Sequence, residues 1–353
     1  MVPERAARGA RARHAVVPLS GPPPDFSVVV PTRGEAASLL GLLDALARQT
    51  LDPTRREILI AFDGAAPAPA VRERLRTLGA RAIEGGERRG PGAARNRAAA
   101  VAQGTWLAFT EDDCEPAADW LERAAGRIGR DPALGAFEGA TTTPAGAPVR
   151  RRDGDLPTHL PTNFFVRRDL FERVGGYRED FFDAARGVYF REDSDFGFTL
   201  EEAGARVAFD PVVRVTHPAE HPRFLDPLRW ARRYEMDPLL QRRHPRRFRE
   251  RIEVARVGPF RVRRVVLRAS FAYLIALAAG AAAWLLGEEG LAAVFLIAAA
   301  LALLPLALKW RFRPARLLLA PAVPFVLAAA LLRGTARARR LGDAAPRGTP
   351  ATP

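Results

Sequence analysis

The sequence predicts an α/β fold with a mostly parallel central sheet and helices on both faces. A transmembrane helical hairpin follows it towards the C-terminus. Three observations carry this. Short β-branched apolar runs alternate with helical periodicities over residues 26–109, the pattern of βαβ units and a parallel sheet. Three of the runs end in charged loops, Pro31-Thr32 to Glu35, Asp63-Gly64 and Glu111 to Asp113. These loops therefore gather beyond the carboxyl edge of the sheet, where open α/β sheets bind ligands. Two apolar stretches, 265–286 and 291–308, lie between arginine-rich flanks and are joined by Gly287-Glu288-Glu289-Gly290.

Taken in order, Phe26 to Val30 is a buried strand closed by Pro31. Leu39, Leu42, Leu43 and Leu46 recur at helical spacing and predict a helix over 36–48. Glu57 to Phe62 is a second strand, 70–78 a helix, and Ala80 to Ile83 a short strand. Gly85-Gly86 and Gly90-Pro91-Gly92 mark a loop, Ala93 to Gln103 a helix, and Thr105 to Phe109 the strand that leads into Glu111-Asp112-Asp113-Cys114. Adjacent carboxylates at the end of a buried strand are costly unless something positive sits against them. A divalent metal carrying a nucleotide diphosphate meets that need. An acidic cap for the helix after Pro116 is the alternative, because carboxylates favour helix N-termini. Gly90 to Asn96 half-matches a dinucleotide fingerprint, but Arg95 stands where the last glycine belongs. The spacing suits a loop presenting Arg95 at a helix start, to a diphosphate or to solvent.

The chain has 353 residues, a formal net charge of +14 and one cysteine, Cys114. An intrachain disulfide and zinc-finger or CxxC chemistry are therefore excluded. The basic charge alone allows nucleic acid, acidic lipid or phosphorylated partners. The acidic cluster and apolar spans argue against nucleic acid. Residues 1–24 read as a flexible basic tail, with no apolar core of a signal peptide.

With these pieces in place, the chain resembles family 2 glycosyltransferases of the GT-A fold over roughly residues 25–220. The matching motifs, in order, are Val28 to Arg33, Ala61-Phe62-Asp63-Gly64, Gly92-Ala93-Ala94-Arg95-Asn96 and Glu111-Asp112-Asp113. They continue with Asn163 to Leu170, Val174 to Tyr177, Arg191 to Phe196 and Val215-Thr216-His217-Pro218. The resemblance implies a nucleotide-sugar donor and a divalent metal, Mn²⁺ or Mg²⁺. It places Pro31, Thr32, Arg33, Glu35, Asp63, Arg95 and Asp112 on the nucleotide sugar. Asp113, Glu111 and His217 fall on the metal. Asp193 becomes the general base, with Glu192 beside it, and Asn163 and Trp230 lie on the acceptor side. Glu111 departs from the family's Asp, and Phe62 stands where many members have a second Asp.

Residues 221–262 alternate Phe224, Leu225, Leu228, Trp230, Tyr234, Leu239 and Leu240 with many arginines, which predicts an amphipathic interfacial linker. Asp226-Pro227-Leu228-Arg229-Trp230 resembles the QxxRW motif of processive synthases but has Asp226 at the Gln position. This favours transfer of one or a few sugars. Positive flanks on both sides of the two spans place the catalytic domain in the cytoplasm of a multi-pass inner (plasma) membrane protein. Residues 317–332 form a third apolar segment, spanning or re-entrant, broken by Pro321 and Pro324, and 336–353 read as a disordered tail.

The expected function is an inverting transfer of sugar from a nucleotide-sugar donor to a cell-envelope glycan or lipid-linked acceptor, beside membrane lipids and without nucleic acid. A polyprenyl-phosphate sugar synthase and a catalytically inactive sugar-nucleotide-binding membrane protein are the alternatives.

Overall fold

A computed structural model describes residues 22–149, 158–219, 223–257 and 260–342. Most of the expected basic tail, residues 1–21, and the end of the expected disordered tail, 343–353, lie outside these residues.

The strands are β1 (Phe26–Thr32), β2 (Arg56–Asp63), β3 (Arg81–Gly85), β4 (Trp106–Phe109), β5 (Glu115–Pro116), β6 (Ala136–Thr142), β7 (Phe164–Arg167), β8 (Phe182–Asp183), β9 (Val188–Tyr189) and β10 (Val207–Thr216). All but β8 and β9 join one sheet in the order β3-β2-β1-β4-β7-β6-β10-β5. β1 pairs in parallel with β2 and β4, placing Val28 beside Ile58 and Ala108. β7 inserts antiparallel between β4 and β6, and β6 and β10 are parallel. The sheet is thus mostly parallel, as its alternating sequence predicts. β8 and β9 form a separate small hairpin.

Every residue of β1 is buried, because helices cover both faces and leave no polar side to the strand. Val28 and Val30 face one layer, with Leu39, Leu42, Leu43 and Leu46 of α1 (Ala36–Ala47) and Val71 and Leu75 of α2 (Pro69–Leu78). Val29 faces the other, with Ala94 and Ala98 of α3 (Pro91–Ala99). α4 (Trp120–Gly129) joins the first layer, while α5 (Arg168–Val174) and α6 (Glu192–Glu202) join the second. α4 begins nine residues after Glu111, beyond β5. The acidic stretch is therefore a loop between two strands and caps no helix.

The linker expectation changes most. Residues 224–263 are not one amphipathic helix. They form α7 (Asp226–Arg233), a turn at Tyr234–Met236, α8 (Asp237–Arg243), α9 (Pro245–Arg247), a π-turn at Phe248–Ile252 and a hairpin of β11 (Val254–Val257) with β12 (Phe260–Arg263). Pro227, Pro238 and Pro245 each sit in a first helical turn, where proline is tolerated, and so they divide the stretch into short helices. Met236, Leu239, Leu240 and Phe248 pack against Phe181, Val188 and Phe198 of the α/β domain. Phe224, Leu225 and Trp230 remain exposed.

α10 (Val265–Leu285) is 21 residues, about 31 Å long. Gly287, at φ 79°, turns the chain into α11 (Glu289–Ala302), which continues as α12 (Leu304–Lys309). Both arms are long and apolar enough to cross a membrane. A Cβ on Gly280 would lie 3.2 Å from the Cβ of Phe295, so glycine lets the arms approach closely.

After α13 (Pro314–Leu317) comes α14 (Val323–Gly342), which includes residues 336–342 of the expected disordered tail. α14 is held there because Arg337 donates to the carbonyls of Asp180 and Phe182, and Ala338 is buried against the α/β domain. Residues 317–332 therefore begin and end beside α7 and the turn that follows it. Trp310 and Val323 pack with Ala231 of α7, and Arg333 pairs with Glu235.

Candidate functional site

The carboxyl ends of β1, β2 and β4 open onto a cavity of about 270 Å³. From β1 it is lined by Pro31 and Thr32, followed by Arg33, Glu35 and Ser38. Asp63 comes from the end of β2, and Glu111, Asp112 and Asp113 follow β4. Thr32 Oγ1 donates to Asp112 Oδ2 at 2.5 Å and accepts from Gly34 N at 2.9 Å, so one hydroxyl fixes both loops. Asp63 accepts from the backbone amides of Arg89 and Gly90 at 2.8 and 2.9 Å. Its carboxylate thus pins the β3–α3 loop as the cavity wall.

Glu111, Asp113, Cys114 and His217 bring potential ligand atoms within 4.8 Å of one another. His217 Nε2 lies 3.7 Å from Asp113 Oδ2 and 4.0 Å from Glu111 Oε2. Its Nδ1 is 2.8 Å from the Pro218 carbonyl. A carbonyl only accepts, so the neutral ring carries its proton on Nδ1 and turns the Nε2 lone pair to the carboxylates. Desolvation raises the Glu111 carboxyl above its ordinary range, with Arg95 opposing and Asp113 reinforcing the shift. Desolvation also raises Asp112. Crowded carboxylates with an imidazole nitrogen fit a hard divalent cation. The Cys114 thiol is buried and packs in the core, and burial raises it well above its usual range.

Arg95 is only 1% exposed. It donates to Glu111 Oε1 at 3.1 Å and lies over the Tyr177 ring at 5.3 Å. Its Nε and Nη1 have no hydrogen-bond partner. It underlies the acidic cluster and does not line the cavity, which corrects the expectation of direct approach to the nucleotide and also excludes an exposed arginine. The alanines of α3 bring that helix close enough to the sheet to carry the guanidinium inside.

α6 is preceded by Arg191, a non-glycine residue with φ 74° at its N-cap, a conformation that costs about 1–2 kcal/mol. Glu192 and Asp193 occupy its first turn. Asp193 is 9% exposed and accepts from Ser194 N at 2.7 Å. Burial first, and then the Asp193 charge, push the Glu192 carboxyl up to about 7, with Arg95 opposing.

Residues 27–175 match the family described as Glycosyl transferase family 2. They form a family 2 glycosyltransferase domain. Two relatives agree with this, each 27% identical to the chain. One is glycosyltransferase AglE of Haloferax volcanii, matched over 50% of this chain and 64% of its own length. The other is the pre-mycofactocin glycosyltransferase of Mycobacterium tuberculosis, matched over 57% of this chain and 44% of its own. The chain therefore spans less than two thirds of the curated relatives it matches. The mannosyltransferase PcManGT from Pyrobaculum calidifontis, solved with GDP-Man and Mn²⁺, aligns at a TM-score of 0.52 and 22% identity. The alignment covers 89% of this chain and 88% of that one. The glycosyltransferase domain has the GT-A fold.

Within this GT-A domain the structure brings together Pro31, Thr32, Arg33, Glu35, Asp63, Glu111, Asp112 and Asp113 around one cavity. Asn163 departs from its expected acceptor-side position. It is fully buried, accepts from Trp120 Nε1 at 2.9 Å and donates to the carbonyls of Ala140 and Val213 at 2.9 Å each. These bonds tie α4, β6 and β10 together, so its role is to hold the core. Asn163→Ala should destabilise the protein by roughly 2–4 kcal/mol, since it strands a buried Trp donor and leaves a void. Thermal melting would show this, with nucleotide affinity retained below the melting range. Trp230 is exposed, edge-on to Phe190 at 6.2 Å and beneath Arg233 at 5.0 Å. Ser38, Arg88 and Tyr189 line the cavity unforeseen. The available signal was Arg88 in a glycine-bounded loop and Tyr189 just before the Glu192-Asp193 pair.

Proposed function

We propose that this chain is a membrane-anchored inverting glycosyltransferase. It moves a sugar from a nucleotide-sugar donor to a cell-envelope glycan or lipid-linked acceptor, with a divalent cation, Mn²⁺ or Mg²⁺, as cofactor. The observation that carries this reading is the carboxylate and imidazole cluster of Glu111, Asp113 and His217 at the mouth of a cavity walled by Thr32, Glu35 and Asp63. The GDP-Man and Mn²⁺ held by PcManGT support the donor and cofactor classes.

Asp113, Glu111 and the His217 Nε2 would hold the cation, whose chemistry is to neutralise charge on the departing diphosphate. Thr32 orients Asp112, and Asp63 fixes the Arg89-Gly90 backbone against the donor. Arg95 opposes the desolvation of Glu111 and places a positive charge beneath the acidic cluster. Asp193 accepts the proton of the attacking hydroxyl. A single displacement of this kind inverts the anomeric carbon. The exposed Phe224, Leu225 and Trp230, near the base of the hairpin, support an acceptor presented at a membrane surface. The arginines flanking that hairpin support a cytoplasmic catalytic domain in the inner membrane.

Full-length protein in detergent, screened with UDP, GDP and dTDP sugars and Mn²⁺, should turn over at least one donor and lose that activity with EDTA. Absence of metal-dependent turnover across the set would overturn the reading.

The Glu192 carboxyl gives a pH signature. Ionised Glu192 raises the proton affinity of neighbouring Asp193. Because Glu192 ionises as pH rises through about 7, kcat/KM for the acceptor should climb across that pH. Glu192→Gln should flatten the climb while leaving nucleotide affinity unchanged.

A further inference from the structure

Glu235, in the turn between α7 and α8, and Asp237, the first residue of α8, are carboxylates buried at 3% and 1% exposure. Neither lines the donor cavity. Each is shared between two arginines, one from the catalytic segment and one from the helices that follow the domain. Glu235 pairs with Arg186, in the β8–β9 turn, and lies 3.5 Å from Arg333 of α14. Asp237 Oδ1 accepts from Arg191 Nε at 2.7 Å, and its Oδ2 accepts from Arg264. Arg191 is the residue before Glu192-Asp193, and Arg264 is the residue before α10.

The backbone at both ends of this clamp is unusual. Arg191 and Arg264 have φ of 74° and 38°, the left-handed region that side chains disfavour. Each is held there by its guanidinium, which also lies over a ring: Arg191 over Phe190 at 4.2 Å and Arg264 over Phe248 at 4.8 Å. The Arg191 carbonyl accepts Asp195 N at 2.8 Å, so its conformation sets where α6 begins. The paired clamp at Glu235 depends on Gly334, because a Cβ there would collide with the Glu235 carbonyl. Arg337 adds bonds from α14 to the Asp180 and Phe182 carbonyls. Segment 180–193, which carries Tyr189, Glu192 and Asp193, is thus gripped from one side by elements leading to the hairpin and α14.

Buried ion pairs alone say little about stability, since desolvation offsets their attraction. Their placement carries the argument: each carboxylate joins the acid-bearing segment to the base of the membrane hairpin or to α14. We infer that Asp237, seconded by Glu235, is a positioning residue that keys the Glu192-Asp193 turn to the seating of the membrane helices. The orientation of the proton acceptor towards the acceptor hydroxyl then depends on Arg264 at the entry to α10. This rests on the glycosyltransferase reading above.

The test uses full-length protein in lipid nanodiscs, with transfer kinetics and calorimetric binding of the nucleoside diphosphate. Asp237→Asn should lower kcat at least tenfold while donor KM and nucleoside diphosphate affinity stay within twofold. Asp237→Glu should recover kcat to within threefold of wild type. Unchanged kcat, or a kcat loss matched by an equal loss of nucleotide affinity, overturns the inference. Where Asp237→Asn fails to fold, Arg264→Gln carries the test, with kcat three- to tenfold lower and nucleotide binding intact. Unchanged kcat in that variant overturns the inference equally. A wild type that turns over no nucleotide sugar defeats the glycosyltransferase reading instead, and is distinguishable from an active wild type with an equally active Asp237→Asn.

Discussion

Asp113→Asn should reduce kcat for sugar transfer by about 10²–10³-fold, or roughly 3–4 kcal/mol of transition-state stabilisation. The size follows from what each acid around the cavity already does. Asp112 is tied to the Thr32 hydroxyl and Glu111 to Arg95. Asp113 has the most exposed side chain of the Glu111, Asp113 and His217 group, at 41%, and its Oδ2 is the carboxylate oxygen nearest His217 Nε2. Asparagine keeps the shape and removes the charge, so the loss should appear in kcat and in the Mn²⁺ dependence, with melting temperature unchanged. Glu111→Gln should cost less, about tenfold, because part of the Glu111 charge is already met by Arg95. Equal and small effects in both variants, under threefold, would remove the cation from the proposed mechanism.

The parallel half of the sheet was legible because β1, β2 and β4 are buried almost throughout, and burial on both faces turns a strand into a continuous apolar run. The cavity was legible for a related reason: chain direction alone puts Thr32, Asp63 and Asp113 at one edge. What escaped depends on contacts between distant segments. Asn163 looks like a loop polar group until Trp120, Ala140 and Val213 converge on it. Arg95 sits among alanines, a composition that reads as a solvated helix, and only the close approach of α3 to the sheet buries it. The linker misled through its periodicity. Leu228, Leu239 and Leu240 keep an amphipathic rhythm, yet prolines restart the helix three times, and the buried Glu235 and Asp237 take partners from residues 186–191, 264 and 333. No local pattern records those pairings.

Asp193→Asn should lower transfer to a hydroxyl acceptor by about 10²–10⁴-fold, the range for losing a positioned general base. The fold should survive. Asp193 accepts from Ser194 N, a bond asparagine can keep through its amide oxygen. Nucleoside diphosphate affinity should stay near wild type, because Asp193 stands on α6 and outside the residues that line the donor cavity. The discriminating measurement is a pair of kinetic runs, one with a hydroxyl acceptor and one with a polyprenyl phosphate. A phosphate acceptor is already ionised and needs no proton removed, so retained transfer to it in Asp193→Asn would redirect the reading to a polyprenyl-phosphate sugar synthase. Loss of nucleotide binding together with catalysis would instead place Asp193 in donor recognition. Loss of hydroxyl transfer alone, with binding intact, is the result the geometry predicts.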